Sequence, residues 1–295
     1  MPIKPSSAES PFTAGVNGEP KISLRCPDGA QADIYSHGAH VTSWVPAGEE
    51  ERLFLSSASA FGPNASIRGG VPIIFPQFAD LGPIIKHGFM RRMRWNLITI
   101  EEEGAQCAAV FGLNDSEATH ALWPHHFAAT YAVTLKGRQL DLTLSITNTG
   151  VEPFTFSCAL HTYFKIAEIS KTSILGLGKT TYLDNANQRT RAIQTEDELS
   201  FAREVDRTYL NVTHPLILHE QQRSLTVTMQ GFKDAVIWNP WIQGGAALND
   251  LEVDGYRRMV CVEAGVIGEP ITLLPAQNWR GTQSLTAQPF TPAAA

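Results

Sequence analysis

The chain has 295 residues, of which 43% are hydrophobic, and it carries a formal net charge of −6. No apolar run reaches the roughly 18 residues that a membrane-spanning helix needs, and the acidic balance is unlike the clustered basic surface of nucleic-acid-binding proteins. We therefore expect neither a membrane nor a nucleic acid as a partner. The length suits one large all-β domain or two ordinary domains.

The beginning of the chain and the cysteines both favour a cytoplasmic location. Residues 1–18 lack the continuous apolar segment of a signal peptide, and we expect them to form a flexible tail. The cysteines are far apart in sequence and show no CxxC spacing. They are also too few to stabilise so long a chain by disulfides, so we expect reduced thiols. They are Cys26, Cys107, Cys158 and Cys261.

Short segments of alternating hydrophobicity recur from about residue 20 to residue 285, separated by Gly, Pro, Asn and Asp. This pattern indicates many antiparallel strands. The stretch 127–147 is the plainest case, because a turn at Gly137 divides two strands in which apolar and polar residues alternate. We predict one all-β domain, a large antiparallel β sandwich over residues 19–290, followed by a C-terminal tail at 291–295.

Residues 66–95 are too rich in glycine and proline for an ordinary strand pair and predict a long structured loop. Guanidinium groups match phosphate oxygens, so Arg68 and Arg91 are candidate clamps for a phosphoryl group. Arg92 and Arg94 are better explained as solvated surface charges. The basic cluster of this loop also contains Lys86 and His87.

Residues 114–123 predict one short helix, with Asp115 or Ser116 as its N-cap. The histidines in and after it raise the hypothesis of a metal site, but they show no recognised ligand spacing and no adjoining carboxylate motif. We therefore expect no bound metal. These histidines are His120, His125 and His126.

The segment 154–166 reads as a strand with an apolar face, and His161 falls on its more polar face. An imidazole there could exchange protons near neutral pH. A lone histidine is more often structural or exposed, and that alternative stays open.

Glu263 interrupts the apolar strand 259–265, where burial would raise its pKa and nearby cations would lower it. It is either a proton acceptor or part of a strand-end salt bridge. Asp206 could bind ligand hydroxyls or cap a turn. Trp238 and Trp241 could form an aromatic platform or fill the core.

Seven short segments spread over most of the chain carry a family resemblance. They are GAHVTSW from Gly38, IRGGVPIIFPQF from Ile67, KHGFMR from Lys86, LHTYF from Leu160, VDRTYLN from Val205, VIWNPW from Val236 and MVCVEAG from Met259. In this order they resemble the glucose-6-phosphate 1-epimerases, the hexose-6-phosphate mutarotase branch of the aldose 1-epimerase superfamily. The resemblance implies a galactose-mutarotase-like β supersandwich.

The resemblance also implies roles for individual residues. His161 matches the catalytic histidine of the family, Glu263 its catalytic glutamate and Asp206 its substrate-binding aspartate. Arg68 and Arg91 match its phosphate-region arginines, with His87 in the same groove. The sequence departs from the family pattern at Lys86, Met90, Arg92 and Ala264, and Lys86 would make a substrate contact ionic.

The expected activity is exchange of the α and β anomers of a hexose 6-phosphate by a monomeric enzyme without cofactor or metal. Glu263 would act as general base at the C1 hydroxyl and protonated His161 as general acid at the ring oxygen. Two alternatives stay open: an epimerase acting on unphosphorylated aldoses, and a non-catalytic carbohydrate-binding sandwich.

Overall fold

The computed structural model describes residues 10–220 and 223–288, and within these ranges the chain forms 21 β-strands and two six-residue α-helices. The pairings between these strands are antiparallel. The predicted all-β class is therefore confirmed. Neither helix in these ranges is long and apolar enough to cross a bilayer.

In chain order the elements are β1 (Thr13–Ala14), β2 (Pro20–Arg25), β3 (Gln31–Tyr35), β4 (His40–Val45), β5 (Ile73–Ile74), β6 (Asn96–Glu103), β7 (Gln106–Asn114), α1 (Glu117–Leu122), β8 (Phe127–Lys136), β9 (Gln139–Asn148), β10 (Phe154–Leu160), β11 (Tyr163–Lys165), β12 (Ser173–Leu175), β13 (Thr181–Asp184), β14 (Thr190–Ile193), β15 (Glu198–Ser200), β16 (Val205–Tyr209), β17 (Leu216–Glu220), β18 (Arg223–Gln230), β19 (Asp234–Asn239), α2 (Trp241–Ala246), β20 (Met259–Leu273) and β21 (Asn278–Ala287).

The strands form three sheets, two of which are large. A four-stranded sheet has the order β1-β2-β3-β4, and a nine-stranded sheet has the order β15-β12-β17-β18-β21-β9-β8-β7-β6. The eight-stranded sheet has the order β14-β13-β16-β19-β20-β10-β5, with β11 also paired to β20. The main hydrophobic core contains residues from all three sheets, such as Trp44, Leu144 and Val262. This is the large layered sandwich that the alternating pattern predicts.

The long central strand β20 separates the main core from a second, smaller apolar region. Val260, Val262 and Ala264 belong to the main core. Met259 and Cys261 point to the other side, because side chains alternate along a strand. Odd-numbered positions in this part of β20 therefore face away from the core.

Local structure follows the predicted signals closely where the pattern is strong. The hairpin β8–β9 turns at Gly137, which has a φ of +58°. Helix α1 begins after Ser116, whose hydroxyl accepts the Thr119 N–H in a capping box. Helix α2 was not predicted, since its six residues carry no cap or periodic signal.

The predicted N-terminal tail is wrong for the part of it that the structure describes. Thr13 and Ala14 pair with Lys21 and Pro20, and the Val16 N–H donates to the Tyr35 hydroxyl over 3.0 Å. The prediction failed because a two-residue strand has no periodicity of its own. Residues 1–9 of that tail, and the predicted tail 291–295 with its boundary, lie outside the described residues.

Two of the four cysteines are paired, which corrects the expectation of four separate thiols. Cys26 and Cys107 form a disulfide with their Cα atoms 5.6 Å apart, although 81 residues separate them. Packing of β2 beside β7 brings them together, which spacing in the sequence cannot reveal. Cys158 and Cys261 are free and buried.

Candidate active site

A cleft of about 470 Å³ lies on the side of β20 opposite to the main core. Every side chain predicted to be catalytic or substrate-binding lines it, namely Arg68, Lys86, His87, Arg91, His161, Asp206 and Glu263. Tyr163, Asn185, Arg189 and Trp238 line it as well. The structure therefore brings together residues that are up to 195 positions apart, from Arg68 to Glu263.

Strand register explains why these distant residues meet. Asp206 on β16 pairs with Trp238 on β19, which pairs with Cys261 on β20, which pairs with Tyr163 on β11. One step along the same face of β20 lies Glu263. His161 occupies the break between β10 and β11, so its side chain leaves the sheet beside Glu263.

The predicted loop 66–95 forms the cationic side of the cleft. Two of its glycines lie directly against the backbone of neighbouring segments. Gly70 has a φ of +58°, and a side chain there would collide with the Val41 carbonyl. Gly88 has a φ of +66°, and a side chain there would collide with the Phe75 carbonyl. Only glycine fits both positions without strain. The loop path next to Arg68 and His87 thus depends on them.

A buried histidine also supports loop 66–95. His40 is 1% exposed, and its Nε2 lies 2.7 Å from the Gly69 carbonyl oxygen. Burial lowers the pKa of His40 to about 3, with smaller contributions from His37 and Arg91. His40 is therefore neutral in the folded protein and, as the donor to that carbonyl, helps to fix the backbone beside Arg68.

This burial predicts a specific loss of stability in acid. An unfolded chain protonates His40 near its ordinary pKa of 6.5, whereas the folded chain does so only at about 3. The unfolded state therefore binds more protons between these pH values, and the free energy of unfolding falls as the pH drops through that window. Denaturant titrations from pH 7 downward should give a shallower dependence for His40→Asn, by up to about 1.4 kcal/mol per pH unit. An unchanged slope would show that His40 does not titrate as its burial requires.

The centre of the cleft is a histidine–glutamate pair. His161 Nε2 lies 3.3 Å from Glu263 Oε1, and the two side chains are 9% and 1% exposed. His161 Nδ1 and Glu263 Oε2 are buried without a hydrogen-bond partner among the described residues. Unpartnered buried polar atoms are costly and in native structures often mark a catalytic role. Glu263 is therefore buried and is not part of a salt bridge at the protein surface.

Burial disfavours charge on both members of the pair. Burial, with a contribution from Asp206, raises the pKa of Glu263 well above its ordinary value. Burial, with contributions from the cationic loop, lowers the pKa of His161 well below its ordinary value. Burial therefore favours the neutral carboxylic acid and the neutral imidazole in the free site. The sequence analysis assigned a carboxylate to Glu263 and an imidazolium to His161. Transfer of one proton from Glu263 to His161 across their 3.3 Å contact converts the neutral pair into that charged pair.

Aromatic rings hold His161 in place. The ring of Tyr163 stacks on it with centroids 4.8 Å apart and an interplanar angle of 8°. Trp238 meets it edge-on at 5.8 Å. Trp238 thus lines the cleft, whereas Trp241 packs on Tyr256 outside it. Stacking of this kind fixes the orientation of an imidazole, which proton transfer requires.

His87 contributes a neutral imidazole beside the pair. Its ring lies 5.7 Å from that of His161, and its Nδ1 accepts the Ala79 N–H over 3.2 Å. Burial and the charge of Arg91 lower the pKa of His87 to about 3. With Nδ1 acting as acceptor, Nε2 carries the hydrogen and can donate to an oxygen.

Arg68 is already engaged in two interactions, which the sequence did not reveal. Its Nε and Nη2 donate to the two oxygens of Asp250 over 3.0 and 3.1 Å, and Nη1 donates to the Tyr163 hydroxyl over 2.8 Å. The charge of Arg68 is therefore matched by Asp250. Its remaining donors suit a neutral hydroxyl better than a dianion.

Arg91 carries a charge that its hydrogen bond leaves unmatched. Its Nη2 donates to the Lys86 carbonyl over 3.0 Å, and its Nε is buried without a partner among the described residues. Burial and the charge of Arg92 lower the pKa of Arg91 to about 10, so the guanidinium stays protonated near neutrality. Arg92 itself is exposed and donates to Ser66, as expected for a surface charge.

The opposite wall carries polar groups that the sequence analysis missed. Asn185 donates to Asp206 over 2.7 Å, and its own Oδ1 is buried without a partner among the described residues. Burial raises the pKa of Asp206, although Asn185 opposes this. Arg189 follows in the same turn with a φ of +58°. No motif marks this turn, so only the folded chain identifies it.

His161 and Glu263 could also form a metal site together with Cys261, because the ligand atoms of these three residues lie within 4.8 Å of one another. A thiol binds metal as a thiolate. Burial raises the pKa of Cys261 well above its ordinary value, with Glu263 adding to the rise. Cys261 and Glu263 are both buried, and burial disfavours the thiolate and carboxylate forms that bind metal ions.

Comparison with known proteins shows which family the chain is similar to. The family model for aldose 1-epimerase matches residues 20–286. A provisionally named glucose-6-phosphate 1-epimerase from Cenchrus ciliaris is 37% identical over 95% of this chain and 89% of its own length. A protein of the same provisional name from Escherichia coli K12 is 34% identical over 81% of each chain.

A solved structure shares the fold. The crystal structure of a provisionally named mutarotase from Salmonella typhimurium superposes with a TM-score of 0.86 at 29% identity, covering 92% of each chain. The chain belongs to the aldose 1-epimerase family. It is therefore an isomerase that interconverts sugar anomers, which sets aside the alternative of a non-catalytic binding sandwich.

Proposed function

We propose that this chain interconverts the α and β anomers of glucose 6-phosphate and related hexose 6-phosphates by general acid/base catalysis. The observation that carries the proposal is the buried pair His161 and Glu263, 3.3 Å apart in a cleft with a cationic side. The names of the relatives from Cenchrus ciliaris and Escherichia coli support the same substrate.

The chemistry requires only proton transfers. The C1 hydroxyl loses a proton, the ring oxygen gains one, and the bond between C1 and the ring oxygen breaks to give the open aldehyde. Rotation about C1–C2 followed by reclosure gives the other anomer. Both oxygens are bonded to the same carbon, so an acid and a base in close contact can reach them together. The contact between His161 and Glu263 meets this requirement.

In the proposed assignment Glu263 takes the proton from the C1 hydroxyl and His161 protonates the ring oxygen, and the roles exchange on closure. Burial favours the neutral carboxyl of Glu263, so a proton on that carboxyl must pass to His161 before Glu263 can act as the base. Hydrogen bonds from sugar hydroxyls to the unpartnered carboxylate oxygen favour this transfer, because they stabilise the charged form of Glu263.

The phosphate is assigned to the cationic side of the cleft. C6 is attached to C5, the neighbour of the ring oxygen, so the phosphate must lie on the same side of the sugar as His161. Arg91 and Lys86 line the same cleft as His161. Arg91 and Lys86 are proposed to bind the phosphate, with Arg68, His87 and Asp206 binding sugar hydroxyls.

One observation favours the alternative of an unphosphorylated aldose. Arg68, one of the two predicted clamps, is neutralised by Asp250, which removes a cation from the phosphate side. Exchange NMR of glucose 6-phosphate and glucose with purified protein decides between the two. Faster exchange with glucose 6-phosphate at equal concentration supports the proposal, whereas faster exchange with glucose supports the alternative. Acceleration of neither sugar rejects both.

A hexose 6-phosphate is a dianion that does not cross membranes unaided, so the proposed substrate supports a cytoplasmic enzyme. The monomeric state, and the absence of nucleic-acid or membrane partners, stay predictions.

A further inference from the structure

A second cluster of ionisable side chains lies in the connection between β7 and β8, away from the residues that line the cleft. Asp115 Oδ2 lies 2.8 Å from His126 Nδ1 and 3.2 Å from His120 Nε2. The two imidazole nitrogens are 3.1 Å apart. Three atoms that can each bind a metal ion are therefore in mutual contact.

Hydrogen bonding alone does not explain this triangle. Each imidazole nitrogen carries at most one hydrogen, which points along one direction only. If both nitrogens donate to Asp115, both hydrogens point to its oxygen, and no hydrogen bond joins His120 and His126 across their 3.1 Å contact. If one of them is an acceptor, its contact with the Asp115 carboxylate joins two lone pairs. One contact is unfavourable in either arrangement.

A metal ion would make all three contacts favourable. Zinc–nitrogen distances of about 2.0–2.1 Å in a tetrahedral site place neighbouring ligand atoms roughly 3.3 Å apart, and octahedral geometry places them slightly closer. The observed separations of 2.8, 3.1 and 3.2 Å match this range. Two imidazoles with one carboxylate are typical ligands of zinc and related transition metals, whereas magnesium and calcium prefer oxygen.

The surrounding backbone holds the three ligands in place. The second oxygen of Asp115, Oδ1, accepts the Phe127 N–H over 3.1 Å, and the Asp115 N–H donates to the Phe127 carbonyl over 3.1 Å. His120 lies on α1, whose start is fixed by the capping box at Ser116. The His126 carbonyl accepts the Thr149 N–H. A carboxylate oriented by a hydrogen bond to its other oxygen is usual in metal sites.

The cluster is also open to ions from solution. The side chains of Asp115, His120 and His126 are 19%, 31% and 61% exposed. His125, which the sequence groups with them, instead packs against Trp123 with ring centroids 4.5 Å apart. The cluster therefore differs from the set of histidines considered from the sequence, because it contains Asp115 and lacks His125.

We propose that Asp115, His120 and His126 bind one zinc ion or a similar divalent transition-metal ion, with water completing its coordination. The ion would join the end of β7, the last turn of α1 and the start of β8, and it would stabilise that connection. This inference is independent of the proposed function, because it uses none of the residues that line the cleft.

The test is a calorimetric titration of untagged protein with zinc chloride at a fixed pH of about 7.5, because metal affinity in general depends on pH. We expect one zinc ion per chain and a rise in the unfolding temperature when zinc is added. His120→Ala and His126→Ala should each weaken zinc binding at least tenfold, since loss of even an outer partner costs about 10–100-fold. Cobalt substitution should give a visible absorption band that both variants lose.

Two control variants separate this site from its neighbours. His125→Ala keeps the three ligands and should bind zinc like the wild type. His161, Cys261 and Glu263 are a second group that could hold a metal ion. Glu263→Gln alters that group alone and should also leave zinc binding unchanged. The proposal is wrong if the wild type binds no zinc, if the ion is lost in Glu263→Gln but kept in His120→Ala, or if His126→Ala binds zinc with wild-type affinity. Because His126 is largely exposed, its variant folds even if that of His120 does not.

Discussion

Glu263→Gln is expected to lower kcat for anomer exchange by about 10²–10⁴-fold, the usual contribution of one positioned acid or base. Glutamine has the shape of the protonated carboxyl, so the contact with His161 and the packing of β20 are kept. It can neither take the proton from C1 nor pass one to His161. Line-shape or exchange NMR on the glucose 6-phosphate anomers measures the rate.

Binding and stability should separate a chemical defect from a structural one. An open-chain analogue, glucitol 6-phosphate, should bind Glu263→Gln about as tightly as it binds the wild type. The variant should be about as stable as the wild type, because glutamine keeps the shape of the carboxyl group and places no charge in the buried site. Cys261→Ala is the matched control, since Cys261 lies on the same face of β20 and has no proposed role in proton transfer. Near-wild-type turnover in Glu263→Gln would mean that another group is the base.

The strands with one buried face could be predicted because their pattern is local. In β9 the apolar residues from Leu140 to Ile146 alternate with polar ones, and each of them is fully buried. The two-residue strands β1 and β5 could not be predicted, since they exist only through their partners β2 and β10. The pairing of Cys26 with Cys107 has the same cause.

In the candidate site too, some residues could be predicted from the sequence, whereas the contacts between them could not. His161 and Glu263 were each ambiguous as single residues, and family resemblance gave the stronger signal for both. Their contact arises from the register of β20 with its neighbours, which no local pattern contains. Asp250 was missed for the same reason, because it meets Arg68 from 182 positions away. Charge counting in the 66–95 loop therefore overstated the number of cations available to a phosphate.

Arg91→Met is expected to lower kcat/KM for glucose 6-phosphate by roughly 10–150-fold, which corresponds to the 1.5–3 kcal/mol of a hydrogen bond to a charged group. Methionine keeps much of the buried volume of the side chain but removes the charge. The rate with glucose should change little, because an unphosphorylated sugar has no anion for Arg91 to bind. Exchange NMR with both sugars measures the two rates on the same sample.

Arg92→Met is the matched control, because Arg92 is the neighbouring guanidinium but is exposed and donates to Ser66. It should keep the preference for the phosphorylated sugar. The Nε atom of Arg91 is buried without a partner among the described residues, so the variant also tests whether this guanidinium is kept there to bind an anion. Equal losses on glucose and glucose 6-phosphate would mean that Arg91 supports the loop through the Lys86 carbonyl and does not bind the phosphate. A loss confined to glucose 6-phosphate assigns the phosphate to Arg91, because the two substrates differ only in that group.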